Sequence, residues 1–99
     1  MESTFKIFWS QEAINNLGEI IAYLEANWTQ RELKRFAQKT EKFIISIQRN
    51  PFIFPESRKK HVRRALLSKQ TTIYYEVLEH EIRIVTVFDN RQNPANLKL

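Results

Sequence analysis

The stretch Ser10–Pro51, SQEAINNLGEIIAYLEANWTQRELKRFAQKTEKFIISIQRNP, holds two helical periodicities with one boundary between them. Ser10 can cap a first helix, and Glu12 sits favourably in its first turn, against the amino-terminal end of the helix dipole. Ile14, Leu17, Ile21, Leu24 and Trp28 follow at alternating spacings of three and four, with Ala13 and Ile20 beside them. This predicts one apolar stripe turned toward a core, on a helix of about five turns. Gly18, the only glycine in the chain, costs stability mid-helix relative to alanine, which predicts a close contact there. Thr29 and Glu32 form a Thr-x-x-Glu capping box for a second helix, with Trp28 placed to staple onto Leu33. Leu33, Phe36, Ala37, Thr40, Phe43, Ile44 and Ile47 mark its inward face as far as about Arg49, where Asn50-Pro51 stops it. A link this short predicts an antiparallel helical hairpin.

Outward from the hairpin the chain reads as strands. Phe5–Trp9 is short, aromatic and β-branched. After a loop over Pro51–Lys60 come three further strand segments, His61–Leu67, Thr71–Leu78 and Glu81–Phe88, joined by turns at Ser68–Gln70 and Glu79–His80. Ile73, Tyr75 and Val77 form the more apolar set of the middle strand, so Tyr75 is expected to face the helices and Tyr74 to face away. The order β-α-α-β-β-β predicts an α+β fold, a single domain over residues 1–99. In it the helical hairpin packs on one face of a small antiparallel sheet.

Composition narrows the function. The chain has 99 residues, 42% of them hydrophobic and 12% aromatic, normal for one folded domain. With no cysteine there is no disulfide framework, thiolate metal site or cysteine nucleophile. His61 and His80, in different elements, leave no basis for a metal site, and no cofactor is expected. No apolar run approaches the roughly 18 residues of a membrane span, and Met1–Thr4 lacks the pattern of a signal peptide. The cytoplasm is the expected location.

The net charge of +5 is unevenly spread. Ser10–Trp28 carries acids only, whereas Arg31–Arg64 holds eleven basic residues against Glu32, Glu41 and Glu56. Such an excess favours an anionic partner, nucleic acid or acidic protein. Its densest part is Arg58-Lys59-Lys60-His61-Val62-Arg63-Arg64, which can hold several phosphates. Lys and Arg at such positions also keep an edge strand from pairing with other chains. The basic face of the second helix, Arg31, Arg35, Lys39, Lys42 and Arg49, is ordinary for a solvated helix. His61 is the better acid–base candidate of the two histidines, because arginines surround it, and Tyr74 is free to stack or hydrogen-bond. No phosphate-binding glycine loop, paired-carboxylate site or nucleophilic triad is present, which argues against a conventional hydrolase or nucleotide enzyme.

Taken in order, several pieces resemble the RelE/ParE superfamily of toxins from type II toxin–antitoxin systems. They are the opening strand leading into Ser10-Gln11-Glu12-Ala13, the loop Asn50-Pro51 to Pro55, and Arg63 or Arg64 opening the next strand. A strand with Ile-x-Tyr-x-Val follows, Ile73 to Val77, then Val85-Thr86-Val87-Phe88-Asp89-Asn90-Arg91-Gln92-Asn93-Pro94. The resemblance covers about residues 5 to 97. It implies a compact toxin silenced in a hetero-oligomer by a cognate antitoxin, and acting on ribosome-bound mRNA (RelE-like) or on DNA gyrase (ParE-like, the plasmid stabilisation proteins).

Metal-free RNA cleavage needs a group to take the 2′-hydroxyl proton, a donor to the leaving oxygen, and cations on the phosphate. The resemblance places these on the middle strands and near the C-terminus. Arg91 matches the arginine after the last strand, and Arg63 or Arg64 the first-strand cation. Thr72, however, stands where the nucleases often have arginine, and Gln92–Leu99 contains no Tyr or His. If the protein is a ribonuclease, His61, Arg63, Arg64, Tyr74 and Arg91 are its candidate catalytic residues. The missing acid–base pair leans the reading to the ParE-like, non-enzymatic branch. A plain basic nucleic-acid-binding module is the remaining alternative. For target binding the expected residues are Arg58, Lys59, Lys60, Arg63, Arg64 and Arg91, with Arg91 and one of Arg63 or Arg64 meeting on the sheet face turned from the helices.

Overall fold

The structure, a computed structural model, describes residues 5–97 and 99; the reading of Met1–Thr4 lies outside them. Its elements are β1 (Lys6–Trp9), α1 (Gln11–Asn27), α2 (Gln30–Arg49), β2 (Val62–Ser68), β3 (Thr71–Val77) and β4 (Glu81–Asp89), with a 3₁₀ turn at Pro94–Asn96. Both helix starts form as their caps require. Ser10 Oγ accepts from the Ala13 N–H at 2.9 Å, and Thr29 Oγ1 accepts from the Glu32 N–H at 3.4 Å. The box at Thr29 closes through side chains, with the Thr29 hydroxyl donating to Glu32 Oε1 at 2.7 Å. No described helix is long and apolar enough to cross a membrane.

The four strands make one sheet in the order β1-β4-β3-β2. β2, β3 and β4 are antiparallel neighbours, as expected from their short turns. The sheet as a whole is nevertheless mixed, which corrects the antiparallel expectation: β1 runs parallel to β4, pairing Lys6 with Glu81 and Trp9 with Ile84. The cause lies in the connection. The whole helical hairpin and two strands, β2 and β3, separate β1 from β4, so no tight turn fixes their relative direction.

The core lies between the sheet and the bases of the helices. Ala13, Phe43 and Ile47 from the helices meet Ala65, Ile73, Tyr75, Ile82, Ile84 and Val87 from the sheet. Tyr75 faces the helices, as its alternation requires. It forms edge-on contacts with Phe43 and Phe54, and its hydroxyl donates to the Pro51 carbonyl at 2.8 Å. Burial pushes the Tyr75 phenol up to about 12, more than the nearby Arg63 charge and the Phe54 backbone bond lower it. A phenol raised above its ordinary value of 10.0 keeps its proton when folded while the unfolded chain loses it. Stability should therefore be intact below pH 10 and fall as pH rises toward about 12. Tyr75→Phe should remove that alkaline loss. It should also cost about 1–3 kcal/mol at neutral pH, because the buried Pro51 carbonyl loses its donor. Denaturant melts across pH check both.

The stripe on α1 is rotated from its expected bearing. Ile14 is 49% exposed, and Leu17, Ile21 and Leu24 are only half-buried, so the expectation that these four, with Phe36, are buried against the sheet is corrected. The reason is a set of polar tethers to a bulge in β4. The Ser10 hydroxyl donates to the Val85 carbonyl at 2.6 Å, and the Ser10 N–H to the Ile84 carbonyl at 3.0 Å. Asn16 Oδ1 accepts from the Thr86 hydroxyl at 2.7 Å and the Val87 N–H at 3.2 Å. These bonds aim Ala13, Asn16 and Ile20 at the sheet. Leu17 and Ile21 instead line a shallow apolar groove with Leu33, Phe36 and Ala37 of α2. The expected close approach at Gly18 is likewise not found, since a Cβ there would meet nothing within 4 Å. Gly18→Ala should therefore raise stability by about 0.5–1 kcal/mol, read as a higher melting temperature.

Candidate functional site

Beyond their buried base the helices part from the sheet toward the Trp28–Thr29 turn, leaving a cleft of about 510 Å³. Ile20, Tyr23, Trp28 and Phe36 line its helical wall, and Thr71, Val87 and Arg91 belong to its sheet side. Tyr23 and Trp28 are 41% and 46% exposed, large apolar side chains without cover. Charged groups of both signs ring the opening, among them Glu19, Arg35, Lys39 and Lys69.

Arg91 stands at the rim of this cleft, and its geometry is tightly fixed. Its Nε and Nη2 donate to the two carboxylate oxygens of Asp89 at 3.0 and 2.8 Å, and the Arg91 N–H donates to Oδ1 at 2.9 Å. The guanidinium lies over the Tyr23 ring, 4.8 Å from its centroid. The hydrogen bond from Arg91 holds the Asp89 carboxyl below the usual carboxylate range. Reciprocally, Asp89 and then Tyr23 raise the guanidinium. The arginine is thus anchored on α1 and β4, and a carboxylate offsets its charge.

The basic cluster does not act as one patch. Arg63 pairs with Tyr75 in register, so its side chain shares the helix-facing side of the sheet. There it donates to the Phe54 carbonyl at 2.6 Å and lies 4.9 Å from the Phe52 ring centroid. Its structural task is to fasten the Pro51–Phe54 loop over the core. Arg64 pairs with Tyr74 and shares the opposite face, exposed to solvent. Arg58 donates to the Leu97 carbonyl at 3.2 Å, and Lys59 Nζ to the Leu99 carbonyl at 2.7 Å. These two cations clasp the C-terminal segment. His61 has φ 73°, a left-handed conformation uncommon for a non-glycine residue. Its N–H is held by Glu56 Oε2 at 3.2 Å. Lys60 and Arg64 are exposed and have no ion-pair partner among the described residues.

The expected meeting of Arg91 with Arg63 or Arg64 on the far face of the sheet is therefore not formed. Arg91 is drawn to the helix side by Asp89 and Tyr23, and Arg63 by the Phe54 carbonyl. Tyr74 does face away from the helices, but only 7% of it is exposed, which corrects its expected availability for stacking. Thr72 is also buried, its hydroxyl donating to Asn90 Oδ1 at 2.8 Å. Tyr23 is a site residue that sequence reasoning misses, whereas the pairing of Arg91 with the carboxylate of Asp89 is legible in the sequence. Asp89 adjoins Arg91 at i, i+2, close enough for a local reading, whereas Tyr23 lies 68 positions from Arg91 and leaves no local signal.

Comparison with known proteins follows the same lines. The family described as "ParE toxin of type II toxin-antitoxin system, parDE" matches residues 7–94. No curated protein matches the chain in sequence. Among solved structures, the chromosomal ParDE toxin–antitoxin system from P. aeruginosa superimposes with a TM-score of 0.72 at 16% identity, over 87% of this chain and 96% of that one. The YoeB dimer from Staphylococcus aureus gives 0.61 at 18% identity, over 87% and 97%. The DinJ–YafQ toxin–antitoxin complex of E. coli gives 0.61 at 10% identity, over 89% and 94%. At these identities the structural likeness speaks for the fold, two helices on a four-stranded sheet.

Proposed function

The chain belongs to the ParE toxin family of type II toxin–antitoxin systems, and from that premise we propose that it is a non-nucleolytic growth inhibitor of DNA gyrase, kept silent by a cognate antitoxin in the cytoplasm. The observation that carries the non-nucleolytic reading is the state of Arg91. Cleavage of RNA by a metal-independent site needs an uncompensated cation on the scissile phosphate and a proton-transfer pair beside it. Here Arg91 is neutralised by a bidentate carboxylate, Arg63 is committed to a loop carbonyl, and Tyr74 is covered. Three of the five candidate catalytic residues are thus engaged in other contacts or covered. Lys60 and Arg64 supply the free positive charge for an anionic surface of the target.

The cleft supports the antitoxin part of the proposal. Exposed Tyr23 and Trp28 offer apolar anchorage, and the charges at its mouth suit a segment carrying both apolar and charged side chains. The experiment is a pair of assays on the toxin purified away from any antitoxin. Gyrase supercoiling should be inhibited, and mRNA on translating ribosomes should remain intact. Cleaved message with unimpaired supercoiling would overturn the proposal in favour of a RelE-like endonuclease. A shift of duplex DNA by the toxin alone, with neither effect, would leave only a basic binding module.

A further inference from the structure

We infer that Phe52, with Arg63 stacked on its ring, is a base-stacking site for single-stranded nucleic acid. Phe52 is 59% exposed, the most exposed aromatic side chain among the described residues, and its neighbour Ile53 is 54% exposed. The backbone beneath this apolar pair is bonded at each of four successive residues. The Tyr75 hydroxyl donates to the Pro51 carbonyl at 2.8 Å, and the Phe52 N–H donates to Asn50 Oδ1 at 3.3 Å. The Ile53 N–H donates to the Asn50 carbonyl at 3.2 Å, and Arg63 Nη1 to the Phe54 carbonyl at 2.6 Å. Phe54 packs in turn against Phe43, with ring centroids 5.8 Å apart. A buried tyrosine and an arginine thus hold two large apolar side chains out in water. Exposed apolar side chains grouped in this way mark a contact surface, and a fixed backbone loses little freedom when a ligand covers it.

The surroundings of the ring select the ligand. The Arg63 guanidinium lies over it, 4.9 Å from the centroid, and the exposure of Phe52 leaves ring surface for a second flat group. The segment Arg49–Arg64 carries six lysines and arginines against Glu56 alone, an excess equal to the net +5 of the whole chain. Arg58 and Lys59 bond to carbonyls, which position these side chains without cancelling their charge. No carboxylate pairs with Arg63 among the described residues. An aromatic face set among unbalanced cations suits a base joined to phosphates: the base stacks on Phe52 while the cations meet the backbone. A duplex does not fit, because the faces of its bases are already stacked on one another. A pocket on a protein is the other conceivable occupant, but it would take the apolar bulk of Phe52 and has no need of a flat face. This site binds a strand without cutting it, and it does not depend on the gyrase reading.

The test uses the intact protein and short fluorescein-labelled oligothymidylate and oligouridylate, read by anisotropy, with an abasic strand of equal length as control. Binding to either oligonucleotide supports the site, and the tighter of the two names its natural strand as DNA or RNA. Roughly three phosphate contacts would make log K fall with log salt at a slope of about −2. Phe52→Ala should weaken binding by about tenfold and leave the melting temperature unchanged, since the side chain is exposed. Phe52→Leu, which keeps apolar bulk but no ring face, should weaken it likewise, whereas Phe52→Trp should restore it. Equal binding of the abasic strand, or full binding by Phe52→Ala and Phe52→Leu, would overturn the site. Failure to bind either oligonucleotide, with toxicity lost in Phe52→Ala and kept in Phe52→Leu, would reassign the pair to an apolar pocket of a protein. Supercoiling by gyrase is measured separately, so its outcome does not bear on this result.

Discussion

Ile47→Ala is expected to lower the stability of this domain by about 2–5 kcal/mol, whereas Ile14→Ala should change it by less than about 0.5 kcal/mol. Ile47 is 0% exposed and sits in the cluster with Phe43, Tyr75 and Ile84. Truncating it removes apolar contacts on every side and leaves a void that the sheet cannot close, because the strands are held by their ladders. Ile14 keeps half its surface in water, so its truncation forfeits little burial. Leu24, on the stripe that the sequence points inward, lines the open cleft instead and should fall between the two. Urea melts of the three variants, with unchanged slopes, would establish the order. An Ile14→Ala loss as large as that of Ile47→Ala would mean that α1 packs with a different face than the tethers at Ser10 and Asn16 dictate.

Reversing the two free cations of the Arg58–Arg64 stretch together, Lys60→Glu with Arg64→Glu, should reduce growth inhibition by at least about tenfold, equivalent to about 1.4 kcal/mol of target binding. The melting temperature should hardly move, since both side chains are exposed and neither has an ion-pair partner among the described residues. Arg63→Glu is the contrasting variant. It removes the 2.6 Å bond to the Phe54 carbonyl and the contact with Phe52, and places a carboxylate beside the loop carbonyl. Its toxicity should fall together with its stability. Growth curves on induction, paired with thermal melts, separate a lost target contact from a lost fold. Full toxicity of a stably folded Lys60/Arg64 double variant would remove these residues from the target surface.

The basic cluster shows why charge density in a sequence is a poor guide to a binding patch. Seven consecutive residues from Arg58 to Arg64 look like one feature, but alternation along β2 sends Arg63 and Arg64 to opposite faces. The loop before the strand then spends Arg58 and Lys59 on carbonyls of the C-terminal segment. What remains free is Lys60, Arg64 and the exposed ring of His61. Each of those partners lies far along the chain, so nothing near the cluster announces them. Arg91 and Asp89 are the opposite case, a pair formed within one turn of chain and therefore open to a local reading.

The sequence by itself determined the elements and their boundaries, because those depend on interactions within a few residues. Ser10 and Thr29 supply the oxygen atoms that the first turns of α1 and α2 need, Asn50-Pro51 stops the second helix, and the alternation Ile73, Tyr75, Val77 turns Tyr75 inward. Only the tertiary structure decided how these pieces are set against each other. Periodicity shows that α1 has an apolar stripe, but the rotation of the helix is set by hydrogen bonds from Ser10 to Val85 and from Thr86 and Val87 to Asn16, across 75, 70 and 71 positions. Those bonds turn Ala13 rather than Ile14 to the sheet. The parallel pairing of β1 with β4 and the cleft over Tyr23 and Arg91 follow from the same placement. A short-range pattern fixes which faces a segment has; which face is buried is settled by the polar groups that its distant neighbours must satisfy.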